Sequence, residues 1–210
     1  MYLKACYHHH SKNQSLKEYK ELLKDLTNLN LRRISKFNAL AMYGALQCVK
    51  HLEIPQELDI YSSSRHGAIK DIAKALKDLN SPLQAIMPFD FLNISSSNIG
   101  FYLSKTLNSV GNNISIYSKE HSLQRAFELA FYALQNGNSQ NILLGYIDEA
   151  LEDVNNKEVI SNKENYTYDI STWFLLSMDP KNALIKITDI KAFENVTNFK
   201  KSCDDFIFGT

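Results

Sequence analysis

Asn113-Ile114-Ser115-Ile116-Tyr117-Ser118-Lys119-Glu120-His121-Ser122-Leu123 runs without a break into a helical pattern. Ile114 and Ile116 alternate as in a short strand. Apolar residues then recur at Leu123, Ala126, Phe127, Ala130, Phe131 and Leu134, which is helix spacing. Gly137 stands where a C-cap would end that helix. The stretch therefore predicts a strand, a tight turn over residues 118–122, and a helix. In many α/β enzymes such a turn carries the nucleophile, because a helix N-terminus stabilises negative charge developing beside it. This turn holds a lysine, a glutamate and a histidine, and no cysteine.

Working outward, residues 141–147 form a buried-type strand, apolar through its centre. Upstream, residues 58–64 read as a strand. Arg65-His66-Gly67 turns it into an amphipathic helix with Ile69, Ile72, Ala73, Leu76 and Leu79 on the face expected to be buried. A single Gly67 falls short of a phosphate-binding loop, and His66 reads as a turn residue. Two helices are expected before this strand, one over residues 15–29 and one from about Ile34 to His51. Gly44 and several alanines permit close packing of the second. After Ser81-Pro82, residues 88–98 look irregular and rich in capping residues, and a helix runs on through Ile99, Leu103 and Leu107 to about Val110. Residues 2–7 form an opening strand, and His8-His9-His10 is expected in a solvated loop. Adjacent imidazoles point different ways, so no metal site is assigned. Residues 148–168 read as a surface excursion with a helical turn near Glu149. Strands are expected over 172–177 and 183–187, and the tail from Phe193 carries no assignment. This alternation predicts an α/β protein: one domain over residues 1–210, with a mixed, mostly parallel five-stranded sheet and helices on both faces.

Bulk composition excludes some functions. Lys+Arg and Asp+Glu balance at 23 each, so nucleic acid and membrane surfaces are poor partners. No apolar run approaches the roughly 20 residues that span a bilayer, and residues 1–10 lack a signal-peptide core. Cys6, Cys48 and Cys203 lie far apart without metal spacing, which suits thiols in a reducing cytoplasm. No cofactor is expected.

Four stretches, in order, resemble the N-terminal half of a β-ketoacyl synthase of thiolase-like fold. Leu31-Arg32-Arg33-Ile34-Ser35-Lys36 is similar to the family's Arg-Arg-Met-Ser-Arg helix start. Ile60-Tyr61-Ser62-Ser63-Ser64-Arg65-His66-Gly67 resembles the family's next strand and its glycine turn. Phe91 through Asn98 is similar to the Ser-Pro-x-x-Phe…Asn loop of short ketoacyl-synthase-like proteins found beside aryl-polyene gene sets. Residues 114–137 and 141–145 look like the nucleophile turn, its helix and the next strand. The alignment puts Lys119 where the cysteine belongs, with Ser118 or Glu120 one residue to either side. The family also takes two histidines from a C-terminal half, which this sequence is not expected to contain. An ammonium group is a poor nucleophile unless desolvation lowers its pKa.

The resemblance thus implies a degenerate turn (Ser118, Lys119, Glu120, His121) and no condensation by the chain alone. It implies a chain-length-factor-like subunit, dimeric with a catalytic ketosynthase or with itself, and serving an acyl carrier protein. Ile114, Ile116, Tyr117 and the helix from Asn98 would offer the pairing edge, and Phe89, Phe91 and Ile94 would be acyl-tunnel walls. Two alternatives stay open. One is a small thioesterase or acyltransferase using Ser118 or Ser122 with His121 as base; the other is a self-associating binding domain unrelated to lipid synthesis.

Overall fold

Ser15 and Ser35 start the first two helices by accepting hydrogen bonds from the backbone N–H groups three residues on. At Ser15 the partner Glu18 reaches back to complete a capping box. The computed structural model describes residues 1–80, 85–151 and 167–188. Along them run β1 (Tyr2–Lys12), α1 (Leu16–Leu23), α2 (Lys36–Val49), β2 (Leu58–Ser64), α3 (Ile69–Leu79), α4 (Pro88–Asn93) and α5 (Asn98–Leu107). The chain continues through β3 (Asn113–Tyr117), α6 (Ser122–Gln135), β4 (Asn141–Asp148), β5 (Tyr168–Ser177) and β6 (Ile185–Lys186).

The strands form one sheet in the order β3-β2-β4-β5-β1-β6. β2 lies parallel to β3 and β4, whereas the β4–β5, β5–β1 and β1–β6 pairs are antiparallel. The sheet is thus mixed, parallel on the β3 side, and its sixth strand is the two-residue β6. Period-two alternation divides the core between two faces. Leu58, Ile60, Leu143, Ile147, Trp173 and Leu175 pack under α1, α2 and α5. Tyr61, Ile142, Leu144, Tyr146, Phe174 and Leu176 pack under α6, with Ile114 and Ile116 at the margin. In β1 a register shift between Leu3 and Ala5 sends both side chains inward, Leu3 to the α6 face and Ala5 to the α2 face.

Several sequence expectations change. The histidine tract is not a loop: it continues β1 and pairs with residues 170–172 of β5. His9 points to the α2 face against Tyr19 and Tyr43, and His8 and His10 stack on the opposite face. Residues 88–93 close into α4, started by Pro88 at its first position. The apolar face of α3 stands largely in solvent, with Leu76 55% exposed; the helix's one buried residue, Ala75, lies off that face. Glu149, Ala150 and Leu151 are buried and non-helical, where the sequence predicts a surface turn. Residues 152–166 of that excursion, Ser81-Pro82 and the tail from Phe193 lie outside the described residues, whereas Asp148 ends β4 and Tyr168 opens β5.

Asp169, wholly buried, ties the sheet to its surroundings. It accepts from Gln14 N (2.8 Å), Tyr19 Oη (3.0 Å) and Ala150 N (2.9 Å), and pairs with Lys36 Nζ at 2.8 Å. One carboxylate thus joins the loop before α1, the start of α2 and the chain leaving β4. Asp169→Ala leaves Lys36 and two backbone N–H groups without it. Chemical denaturation is expected to show a loss of about 3–5 kcal/mol.

Glu149 has an unsatisfied Oε1 in the same interior. Burial, opposed by Lys70 and Lys36 and reinforced by Asp71, raises its carboxyl to about 7. A raised acid favours the folded state below its unfolded value and loses that contribution as pH rises through about 7. Glu149→Gln, neutral throughout, is therefore expected to gain on the parent protein by roughly 2–3 kcal/mol between pH 5 and pH 8, read from denaturation midpoints.

Candidate functional site

β3 hands over to α6 through a single 3₁₀ turn, Lys119–His121. Lys119 sits at φ +51°, the left-handed region where an L-residue with a side chain is strained. This is the sharp elbow that displays a nucleophile at the end of a strand. Ser122 holds it closed. Its buried hydroxyl accepts from Ser118 N at 2.7 Å and donates to the Lys119 carbonyl at 2.7 Å. That hydroxyl is committed to the backbone, and no side-chain hydrogen bond joins His121 to Ser118 or Ser122 among the described residues. The serine–histidine alternative therefore lacks its catalytic geometry. Lys119, Glu120 and His121 all stand exposed. The Glu120 carboxyl is lowered by its own backbone N–H, with help from Arg65, Lys119 and His121.

Beside the elbow, the C-terminal ends of β2 and β4 are joined by Asp148, which in sequence reads as the start of a loop. Asp148 Oδ1 accepts from Ser64 Oγ (2.7 Å) and Arg65 N (3.0 Å), and Oδ2 accepts from the Tyr146 hydroxyl. Ser64 Oγ in turn accepts from Gly67 N at 2.7 Å, and Gly67 adopts φ +63° to make the turn. Burial, then Asp148, raises the Tyr146 phenol. Burial, with Arg65, lowers the His66 imidazole against the pull of Asp148 and Glu120. The only sequence signal for Asp148 is an acid directly ending a buried strand. Among the described residues the mouth has no thiol, the Asp148 carboxylate is engaged, and no nucleophile–base pair is formed.

The other expected residues fall into two groups. Ile114 and Ile116 point beneath α6, and Tyr117 is 42% exposed at the end of β3, which forms the outer edge of the described sheet. Phe89, Phe91, Ile94 and Asn98 belong to α4 and the start of α5. Phe91 is exposed, Ile94 half-buried, and Phe89 lies under the Arg33 guanidinium at 3.7 Å. Asn98 Nδ2 reaches Asn93 Oδ1 at 3.5 Å. The groups meet where Ser115 Oγ donates to the Ser96 carbonyl at 2.7 Å. Among the described residues no cluster of three or more His, Cys, Asp or Glu could hold an ion. Nor is any helix there long and apolar enough to cross a membrane.

The family model described as beta-ketoacyl synthase, N-terminal domain, matches residues 7–193. No curated protein matches the sequence. Among solved structures, the ketosynthase (ApeO) in complex with its chain length factor (ApeC) from Xenorhabdus doucetiae contains a chain 17% identical to this one. It has a TM-score of 0.64 over 85% of this chain and 80% of that one. The ishigamide ketosynthase/chain length factor gives 9% identity and 0.64, over 84% and 61%. AntDE:AntF, a type II PKS acyl-carrier protein in complex with its ketosynthase bound to the hexaketide, gives 16% and 0.63, over 84% and 62%. At these identities the likeness is one of fold, and this chain spans less than two thirds of the last two chains.

The strain at Lys119 can be measured. Lys119→Gly removes the Cβ from a left-handed backbone at the cost of a more flexible unfolded chain. It is expected to raise unfolding stability by about 0.5–1 kcal/mol. A loss would mean that the lysine side chain supports the turn.

Proposed function

The chain belongs to the beta-ketoacyl synthase N-terminal-domain family, and from that premise we propose that it is a non-catalytic, chain-length-factor-like subunit. It pairs with a catalytic ketosynthase that elongates acyl groups delivered by an acyl carrier protein, in fatty-acid or polyene-type synthesis. The observation that carries this reading is the elbow. The strained strand-to-helix turn is kept at Lys119, with an ammonium in solvent where the chemistry needs a thiol. Complexes of ketosynthases with chain length factors or with a carrier protein, similar in fold to this chain, supply the precedent for such a pairing.

In this role β3 and its flanking helix α5 provide the contact. An outer strand offers a row of unpaired backbone groups, which a partner strand can continue as one sheet. In this reading Phe89, Phe91 and Ile94, on the segment that touches β3 through Ser96, line the partner's acyl tunnel. The fully buried Cys48 thiol, whose protonated form burial favours, suits a reducing cytoplasm.

Co-expression with a catalytic ketosynthase from the same genome is the test. The two chains are expected to co-purify. Tyr117→Lys, at the exposed end of the edge, is expected to weaken association at least tenfold (about 1.4 kcal/mol) with an unchanged circular dichroism spectrum. Malonyl condensation by the purified chain alone, or indifference to every such ketosynthase, would overturn the assignment.

A further inference from the structure

Between the turn at residues 30–33 and helices α4 and α5 lies a groove of about 500 Å³, within the range of small-molecule sites. Phe89, Leu92, Phe101 and Tyr102 give it an apolar wall, and Asn30, Asn93 and Asn98 contribute amides. Among the described residues Arg32 and Arg33 supply its only charges, and no carboxylate lines it.

The cationic side is built in advance. Arg33 lies over the Phe89 ring at 3.7 Å, which orients the guanidinium and covers one of its faces. The Arg33 carbonyl accepts from Asn93 Nδ2 at 3.1 Å, so α4 and the arginine turn are fastened across the groove. Arg32 is held from the other side: its N–H donates to Asn30 Oδ1 at 3.0 Å, and its carbonyl accepts from Lys20 Nζ at 3.0 Å. Among the described residues neither arginine forms an ion pair. The acid nearest in sequence to Phe89, Asp90, is engaged by Lys74 at 3.0 Å. A guanidinium oriented by its aromatic contact, with a second arginine next to it in the chain, selects a planar oxyanion. The aromatic wall, with Phe101 56% exposed, selects an apolar body attached to it.

We infer that this groove binds an amphipathic carboxylate, its head on Arg32 and Arg33 and its apolar chain along Phe89, Leu92, Phe101 and Tyr102. Binding requires no partner subunit, so it stands or falls separately from the pairing role.

The experiment titrates the full chain with dodecanoate, dodecan-1-ol and dodecyltrimethylammonium by calorimetry. In parallel, ¹H–¹⁵N spectra track the side-chain amides of Asn93 and Asn98. Dodecanoate is expected to bind at least tenfold more tightly than either other probe and to shift both amides. Arg33→Gln is expected to remove that preference while leaving dodecanol unchanged, and Phe101→Ser to weaken both. Leu76→Ser, on the exposed face of α3, is expected to alter neither. Equal affinity for the three probes, an unmoved preference in Arg33→Gln, or loss of binding in Leu76→Ser alone would overturn the inference. Because Arg33→Gln could disturb the turn, the amide shifts in the unsubstituted protein provide the independent readout. Their absence at saturating dodecanoate would also overturn it.

Discussion

Two missing methyl groups set the geometry of this protein. A Cβ on Gly145 of β4 would lie 2.5 Å from carbons of the Trp173 indole on β5. One on Gly44 of α2 would lie 2.3 Å from Ser171 Oγ and 2.8 Å from Trp173 Cδ1. The indole therefore occupies space that any other residue would claim on both sides. Its Nε1 still finds Ser171 Oγ at 3.0 Å, so the large side chain is buried without an orphaned donor. With Gly44 against β5, α2 settles directly on the sheet and is buried almost all round. α1 and α5 then pack against α2. The same contact fixes β4, whose last residue is Asp148.

That placement produces a site whose polar groups are committed to architecture. Asp148 is satisfied by Ser64, Arg65 and Tyr146, and Ser122 by the backbone on either side of Lys119. A catalytic mouth leaves one group poised, with a pKa and a direction suited to a substrate. Here the Asp148 carboxylate and the Ser122 hydroxyl already have their donors. The left-handed backbone at Lys119 persists because the Ser122 bonds over-determine it, not because a reacting atom needs it. The turn is thus held by its own backbone contacts, with no cysteine in it.

Much of this is legible in the residues. The parallel strands β2, β3 and β4 and helix α6 come straight from period two and period 3.6. Their apolar positions face cores on both sides of the sheet, where no competing term intervenes. The Gly44 approach is also visible as small residues on one helix. The histidine tract is not. Imidazoles look solvated in a sequence, yet His9 is accommodated by Tyr19 and Tyr43, and His10 by stacking on Tyr168. These partners come from distant segments. Helix α3 fails the opposite way: its amphipathic stripe is real, but periodicity gives a face and not what covers it. Arg33 and Phe89 each stand out separately in the sequence, and only the fold reveals that one lies on the other. Asp148 reads as the first residue of a loop because a carboxylate after a strand usually meets water.

The uncovered apolar side chains complete the contrast with the saturated mouth. Leu76 and Leu79 on α3, Met87 just before α4, and Phe91 and Leu92 on α4 all stand exposed, on two helices that pack on one another. A chain with 44% hydrophobic residues and balanced charge has ample means to hide them. Scattered exposed leucines need no explanation, but apolar side chains gathered on adjoining helices do. The α4–α5 link also touches β3 through Ser96, which brings this lobe beside a strand edge unpaired among the described residues. Backbone groups seeking a partner and apolar surface seeking cover thus lie side by side. Both demands are met by one apposed protein surface, whereas a small ligand at the elbow could answer neither.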